Sequence, residues 1–258
     1  MNLHLNTNIP SKYHSNSQKA RIITEQWLHQ NMFCPVCGAE HLAQFTANKP
    51  VADFYCDNCR QEYELKSKVA ASIGKTISDG AYSTMIDRIT SNNNPNLFYM
   101  THNDVSVNNL ILIPRYFFTP SIIEKRKPLA KTAHRAGWIG CNINISTIPQ
   151  NCKISIVKSG IIRDKTAVLK EYEEIKSLQI DNIDSRGWML DVLFCISMIA
   201  NDTFNLEQVY RFEKALSEKH PDNKFIKAKI RQQLQVLRDK GYLEFVERGI
   251  YKKQNPIA

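Results

Sequence analysis

The chain of 258 residues sets 34 lysines and arginines against 25 acids, a formal net charge of +9 with a pI near 9.1. Its 43% of hydrophobic residues suffices for one substantial core and one small one. No apolar run approaches the roughly 20 residues a membrane span requires, so a soluble, cytoplasmic protein is expected, and the positive surplus favours polyanionic partners.

Ser15-Asn16-Ser17-Gln18 opens a predicted helix that runs to about Gln30, with Ala20, Ile23 and Trp27 recurring at intervals of three and four. Two C-x2-C pairs follow, Cys34-Pro-Val-Cys37 and Cys56-Asp-Asn-Cys59, separated by 18 residues. Each pair places two thiolates on a tight knuckle, and two such knuckles can close a tetrahedron around Zn²⁺. Four thiolates leave no open position, so the expected zinc is structural. Disulfides or buried free thiols are the competing readings of the same residues. The odd total of seven cysteines, an N-terminus without signal-peptide character and a reducing cytosol favour zinc. Cys141, Cys152 and Cys195 lack paired spacing and read as small core residues.

Woven through the second knuckle are Asp53 and Glu64-Leu-Lys66. Residues two apart on a strand share a face, so Glu64 and Lys66 project together while Leu65 turns inward. With Asp53 on a paired strand, two carboxylates and an ammonium converge. Such a set suits phosphodiester hydrolysis: the carboxylates hold one or two Mg²⁺ ions and the lysine orients or deprotonates a water. Taken alone, D-x10-E-x-K equally describes a solvated charged strand. Beyond it, a helix is expected over Ile77 to Ile89, and buried strands over Leu97 to Met100 and Asn109 to Ile113. Helix, strands bearing D and E-x-K, helix, strand resembles the PD-(D/E)xK nuclease core. Here Pro50 lies three residues before Asp53 instead of next to it.

Charge is unevenly placed along the middle of the chain. Arg115, Lys125, Arg126, Lys127, Lys131 and Arg135 meet one acid, Glu124, within their span, which suits either a DNA-contacting surface or plain solvated surface. Residues 164–184 hold six acids against three lysines and read as a solvated connector and domain boundary. Past it the periodicity is helical. One helix carries Met189, Val192, Leu193, Ile196 and Ile199, and a second starts at a capping box of Asn205 and Gln208 and buries Leu206, Val209, Phe212 and Leu216. A third turns Ile226, Ile230, Leu234 and Leu237 inward, with Gly241 as its left-handed stop. Residues 242–246 and 250–252 form a hairpin, so the C-terminal segment reads as a winged helix-turn-helix. Its third helix shows Lys227, Arg231, Gln232, Gln235 and Arg238 outward. Gln and Arg can pair with base edges in the major groove and lysines with phosphate, although an ordinary exposed face looks the same.

Lys49 to Cys56, Glu64-Leu-Lys-Ser-Lys68, Asp79-Gly-Ala-Tyr82, Asn93-Asn-Pro-Asn96, Arg126-Lys-Pro-Leu-Ala130, Arg135-Ala-Gly-Trp-Ile-Gly-Cys-Asn142, Ser185-Arg-Gly-Trp188, Arg231-Gln-Gln-Leu-Gln235 and Leu237-Arg-Asp-Lys-Gly241 together resemble the DpnI family. The resemblance covers nearly the whole chain and is weakest over residues 2–12 and 160–181. That family cleaves G-A-T-C sites only when the adenine carries an N6-methyl group. The resemblance implies Asp53, Glu64 and Lys66 as the catalytic set, with catalytic Mg²⁺ on Asp53 and Glu64. It also implies Cys34, Cys37, Cys56 and Cys59 as zinc ligands and a C-terminal second DNA reader. Trp138 stands in a basic, glycine-containing stretch, where its ring can meet an adenine methyl or simply anchor the loop. The expectation is an α/β (α+β) PD-(D/E)xK domain with a four-cysteine zinc ribbon over residues 1–183, then a winged helix over 184–258. A methyl-dependent endonuclease of double-stranded DNA, monomeric in solution, would use Trp138, Arg126, Arg135, Lys227, Arg231, Gln232 and Gln235 on DNA. A zinc-ribbon and winged-helix regulator that binds DNA without cutting it is the alternative.

Overall fold

The computed structural model describes residues 1–8, 15–46 and 52–254. Lys49, Pro50 and Val51, the start of the first of the sequence motifs, lie outside the described residues. In chain order the first elements are α1 (Asn16–Asn31), β1 (Ala43–Gln44), β2 (Phe54–Tyr55), β3 (Glu62–Val69), β4 (Thr76–Ala81) and α2 (Tyr82–Thr90). The next are β5 (Asn96–His102), β6 (Val107–Ile113), β7 (Ile123–Lys125), β8 (Gly140–Asn144), β9 (Ile154–Lys158), β10 (Ile161–Ile162) and α3 (Lys165–Lys176). The last are α4 (Ile183–Ser197), β11 (Thr203–Asn205), α5 (Leu206–Tyr210), α6 (Glu213–Lys219), α7 (Ile226–Asp239), β12 (Leu243–Glu247) and β13 (Ile250–Lys253). By density of contacts the chain forms two units: residues 1–77, 93–115 and 153–175 make the first, and 78–92, 116–152 and 176–258 the second.

The first unit is a mixed α/β core around a sheet ordered β1-β2-β3-β5-β6-β9-β10. β3 and β5 run parallel, and the other neighbours run antiparallel. Every residue of β5 is buried, as a central strand covered on both faces must be. Two of its polar members are paired across the fold: Asn96 donates to Gln61 Oε1 and the Glu62 carbonyl, and Thr101 Oγ1 accepts from Asn109. α1 begins as its sequence dictates, with Ser15 Oγ accepting from the Gln18 N–H at 3.2 Å, and lays Thr24 Oγ1 3.2 Å from Ser67 Oγ of β3.

Two elements differ from expectation. The segment read as one helix over 77–89 is a strand and then a helix. β4 joins β8 in a sheet ordered β4-β8-β7, and α2 begins only at Tyr82, burying Met85 and Ile89. Thr76, Ile77 and Ser78 suit an extended chain, and the strand that claims them lies about 60 residues downstream, beyond the reach of local periodicity. The acidic connector is the second. α3 buries Val168, Tyr172 and Ile175, with Leu178 beyond it, a four-and-three spacing hidden behind the carboxylates. Asp164 Oδ1 caps it by accepting from the Ala167 N–H, and Glu171 grips Arg163 with both oxygens at 2.6 and 2.9 Å.

Within the second unit the C-terminal helices follow the expected register. Met189, Val192, Leu193, Ile196 and Ile199 of the α4 segment are buried, as are Ile226, Ile230, Leu234 and Leu237 of α7. The capping box of Asn205 and Gln208 is complete, and Gly241 has φ +73°. The expected second helix breaks at Arg211 and Phe212 into α5 and α6; Val209 and Leu216 are buried, while Leu206 and Phe212 are half-buried. β11, β13 and β12 complete a three-stranded wing. If α3 is core and not connector, Ile175→Ala should cost about 2–5 kcal/mol of stability, read by denaturant unfolding; a change within about 0.5 kcal/mol would mark a solvated segment.

Candidate functional site

The zinc reading can be tested on geometry. Each C-x2-C turns back on itself: the Gly38 N–H bonds the Cys34 carbonyl and the Arg60 N–H bonds the Cys56 carbonyl, both at 2.9 Å. Both turns end in the left-handed region, Gly38 at φ +78° and Arg60 at +60°, and a Cβ at Gly38 would press on Leu169 of α3 at 3.2 Å. The four Sγ atoms all lie within 4.8 Å of one another, with Cys34 to Cys59 at 3.5 Å and Cys37 to Cys56 at 3.6 Å. Those separations match thiolates about 2.3 Å from one central ion, so the set can hold Zn²⁺ with its coordination closed. Burial opposes ionisation of Cys37. The Ala39 N–H, the Asn58 amide and the neighbouring thiols outweigh it and bring the pKa down to about 7.

The acidic set lies next to this knuckle. Phe54 pairs with Tyr63 and Tyr55 with Glu62, and Asp53 stands at the bend just before β2. Two bonds tie it to β3: the Asp53 N–H reaches the Tyr63 carbonyl at 2.9 Å, and Asp53 Oδ2 accepts from the Leu65 N–H at 2.8 Å. Along β3, Glu64 and Lys66 share a face, and Lys66 Nζ stands 2.8 Å from Glu64 Oε1. Of the groups named by the sequence, Glu64 and Lys66 thus stand on β3, and Asp53 stands at the bend before β2 with its side chain tied to β3. Two carboxylates so placed suit a hard oxygen-seeking ion such as Mg²⁺.

Sequence reasoning missed two members of this neighbourhood. Glu25 of α1 is buried, accepts from Arg21 Nε at 2.5 Å and takes a 3.2 Å bond from the Gln44 amide. Burial pushes its carboxyl above the ordinary range against the pull of Arg21, and the charge of Asp53 adds to the rise. Arg21 also reaches Asp53, Nη2 to Oδ1, at 3.5 Å. The i, i+4 spacing of Arg21 and Glu25 is visible in the sequence, but such pairs are common on helix surfaces and carry no signal of a site.

The residues expected on DNA belong to the second unit, whereas Arg115 falls in the first. β7 and β8 continue into a basic loop in which Lys125, Arg126, Lys127, Lys131 and Arg135 are exposed. Trp138 is half-buried in it, held down by two features. Gly140 leaves its ring the room that a Cβ, 2.8 Å from two ring carbons, would take, and the Arg135 guanidinium lies 4.9 Å from the ring centroid. On α7, Lys227, Arg231, Gln232, Gln235 and Arg238 are all exposed. Lys227 pairs with Glu213 at 3.6 Å, Arg231 donates to Tyr210 Oη at 2.9 Å and Arg238 pairs with Asp239. Gln232 and Gln235 carry no side-chain partner among the described residues. Trp188 is buried and stacks on His220 at 3.7 Å, while His220 and Lys219 both pair with buried Asp191. This cluster ties α6 to α4.

A family model for DpnI, described as the Dam-replacing family, matches residues 1–181, and the Dam-replacing HTH domain matches residues 184–253. The chain belongs to the DpnI family. That family is one of restriction endonucleases, and its HTH domain accounts for the DNA-binding character of the C-terminal segment. Among the described residues no helix is long and apolar enough to cross a membrane.

The four-cysteine cage can be checked for a structural ion. Removing a ligand, as in Cys34→Ser or Cys59→Ser, should release the ion and unfold the first unit, because structural zinc in small sites is worth about 10–16 kcal/mol, comparable with a whole domain's margin of about 5–15 kcal/mol. Elemental analysis should find one zinc per chain in the purified protein. A fully folded, metal-free preparation would contradict it.

Proposed function

We propose that this chain is a type II restriction endonuclease that hydrolyses double-stranded DNA at G-A-T-C sites carrying N6-methyladenine, with Mg²⁺ held by Asp53 and Glu64. The observation that supports the reading is the bond from the Leu65 N–H, between Glu64 and Lys66, to the Asp53 carboxylate at 2.8 Å, with Lys66 2.8 Å from the Glu64 carboxylate. A bound Mg²⁺ would polarise the scissile phosphate and acidify a water. The Leu65 N–H fixes one oxygen of Asp53, leaving the other for a ligand. Lys66, steadied by Glu64, can orient the attacking water and offset charge developing on the phosphate. The zinc cage has no chemistry of its own and braces the hairpin on which these groups ride.

Specificity is assigned to two readers in the second unit. The basic loop offers Trp138 to the adenine methyl, and α7 offers Gln232 and Gln235 for base edges, with Arg126, Arg135, Lys227 and Arg231 on phosphate. An N6-methyl adds about one methylene of apolar surface, worth about 0.8 kcal/mol, so one reader gives only a few-fold preference per methyl. Two readers multiply it. The cytoplasm, where such DNA lies, is the matching compartment.

Digestion of adenine-methylated and unmethylated plasmid with Mg²⁺ tests the reading directly; cutting of the methylated plasmid alone is expected. Asp53→Ala and Glu64→Ala should abolish cleavage yet keep binding to methylated duplex, and Lys66→Ala should lose about 10²–10⁴-fold in rate, the range for a general acid–base group. Binding without any cleavage by the unaltered protein would leave the regulator as the better reading. Trp138→Ala should reduce the binding preference for methylated over unmethylated duplex about fourfold per methyl, as measured by competition; an unchanged preference would leave Trp138 as a loop anchor only.

A further inference from the structure

The acidic end of the site already has a cation of the protein's own beside it. Arg21 lies one turn before Glu25 on α1, donates to Glu25 Oε1 at 2.5 Å through Nε, and reaches Asp53 Oδ1 through Nη2 at 3.5 Å. Because Asp53 Oδ2 is held by the Leu65 N–H, Oδ1 is the oxygen left for an incoming metal, and Arg21 already stands against it. Glu25 is fixed, buried at 8% exposure with the Gln44 amide on its second oxygen. The Arg21 side chain, by contrast, is 58% exposed, so its guanidinium can move on a long stem without losing water. Without a cation near both groups, the Glu25 and Asp53 carboxylates would repel each other at the edge of a low-dielectric core.

We propose that Arg21 is the resident counter-cation of Asp53, tethered by Glu25, and that it must withdraw from Asp53 before a divalent ion can bind there, so that the Arg21–Glu25 pair sets the affinity of the site for metal. This rests on the reading of Asp53 as a metal ligand. A guanidinium and a divalent ion compete for one carboxylate oxygen. The pair therefore lowers metal affinity while keeping the empty site from being an unpaired cluster of acids. Glu25 acts on the metal through Arg21: by drawing the guanidinium towards α1 it keeps Arg21 from closing fully on Asp53. Arg21 is a positioning residue in this account.

The test is Mn²⁺ binding to the zinc-loaded full chain without DNA, followed by isothermal titration calorimetry. Arg21→Gln should tighten binding several-fold, because the competing charge is gone. Glu25→Gln should weaken it, because the untethered guanidinium settles on Asp53. In the double variant the Glu25→Gln effect should vanish, leaving the affinity of Arg21→Gln alone, since Glu25 then has no arginine to act through. Should Arg21→Gln not fold, Arg21→Met keeps the length of the stem without its charge and carries the same expectation. Unchanged or weaker binding on removal of the Arg21 charge overturns the inference, as does a Glu25→Gln effect that persists at full size in the double variant. If the unaltered chain takes up no Mn²⁺, the metal reading of Asp53 falls and this inference with it, whereas normal uptake with unaltered affinity in Arg21→Gln sinks the inference alone.

Discussion

The pairing of Asp53 with the middle of β3 is the constraint on which the site depends. Two bonds make it, one from the Asp53 N–H to the Tyr63 carbonyl and one from the Leu65 N–H to Asp53 Oδ2. Tyr63 between them is fully buried, stacks on Phe98 at 5.0 Å and lies 3.1 Å from Cys34 Sγ through its hydroxyl. Burial keeps that phenol neutral and able to donate to the sulfur. One residue thus joins the cysteine cage, the sheet core and the strand that carries the carboxylates. A slip of one residue in this ladder would send Glu64 and Lys66 to the opposite face of the sheet. Cys56 and Cys59, in the turn that joins β2 to β3, gather with Cys34 and Cys37 and so oppose such a slip.

Charge balance is the second organising feature. Asp53, Glu64 and Glu25 each have a basic side chain beside them, Lys66 on Glu64 and Arg21 on Glu25 and Asp53. The Lys66–Glu64 pair, at 25% and 17% exposure, is screened less than a surface ion pair and holds its geometry better, whereas Arg21, at 58%, keeps its freedom. Three carboxylates thus meet two cations, and each carboxylate has a basic side chain within 3.5 Å.

The groups assigned to reading DNA and those assigned to cutting it fall in different units. The basic loop around Trp138 belongs with the C-terminal helices, although it precedes them by more than forty residues. Arg186, in the first turn of α4, is the strut on that side: buried, it donates to the Phe118 carbonyl at 3.3 Å, to the Ile180 carbonyl at 2.8 Å and to Asn92 Oδ1 at 2.5 Å. A guanidinium with this many acceptors resists any rotation of α4 against the segment that leads into β7. Trp138 and α7 are thereby built on one scaffold.

Features that the sequence determined by itself are those whose partners stand at fixed short spacing. The C-x2-C knuckles, the shared face of Glu64 and Lys66, the Asn205 capping box and the apolar face of α7 all follow from backbone geometry within a few residues, and the structure has each of them. The strand at Thr76–Ala81 was not legible because it exists through a partner in β8, and α3 was hidden because six carboxylates drew attention from three apolar residues one turn apart. Tertiary structure alone decided that Arg21 and Glu25 belong with Asp53. Their i, i+4 spacing is ordinary; what makes them part of the site is the packing of α1 beside β3, which removes Glu25 from water and leaves its charge to be met by an arginine shared with a carboxylate 28 residues further along the chain.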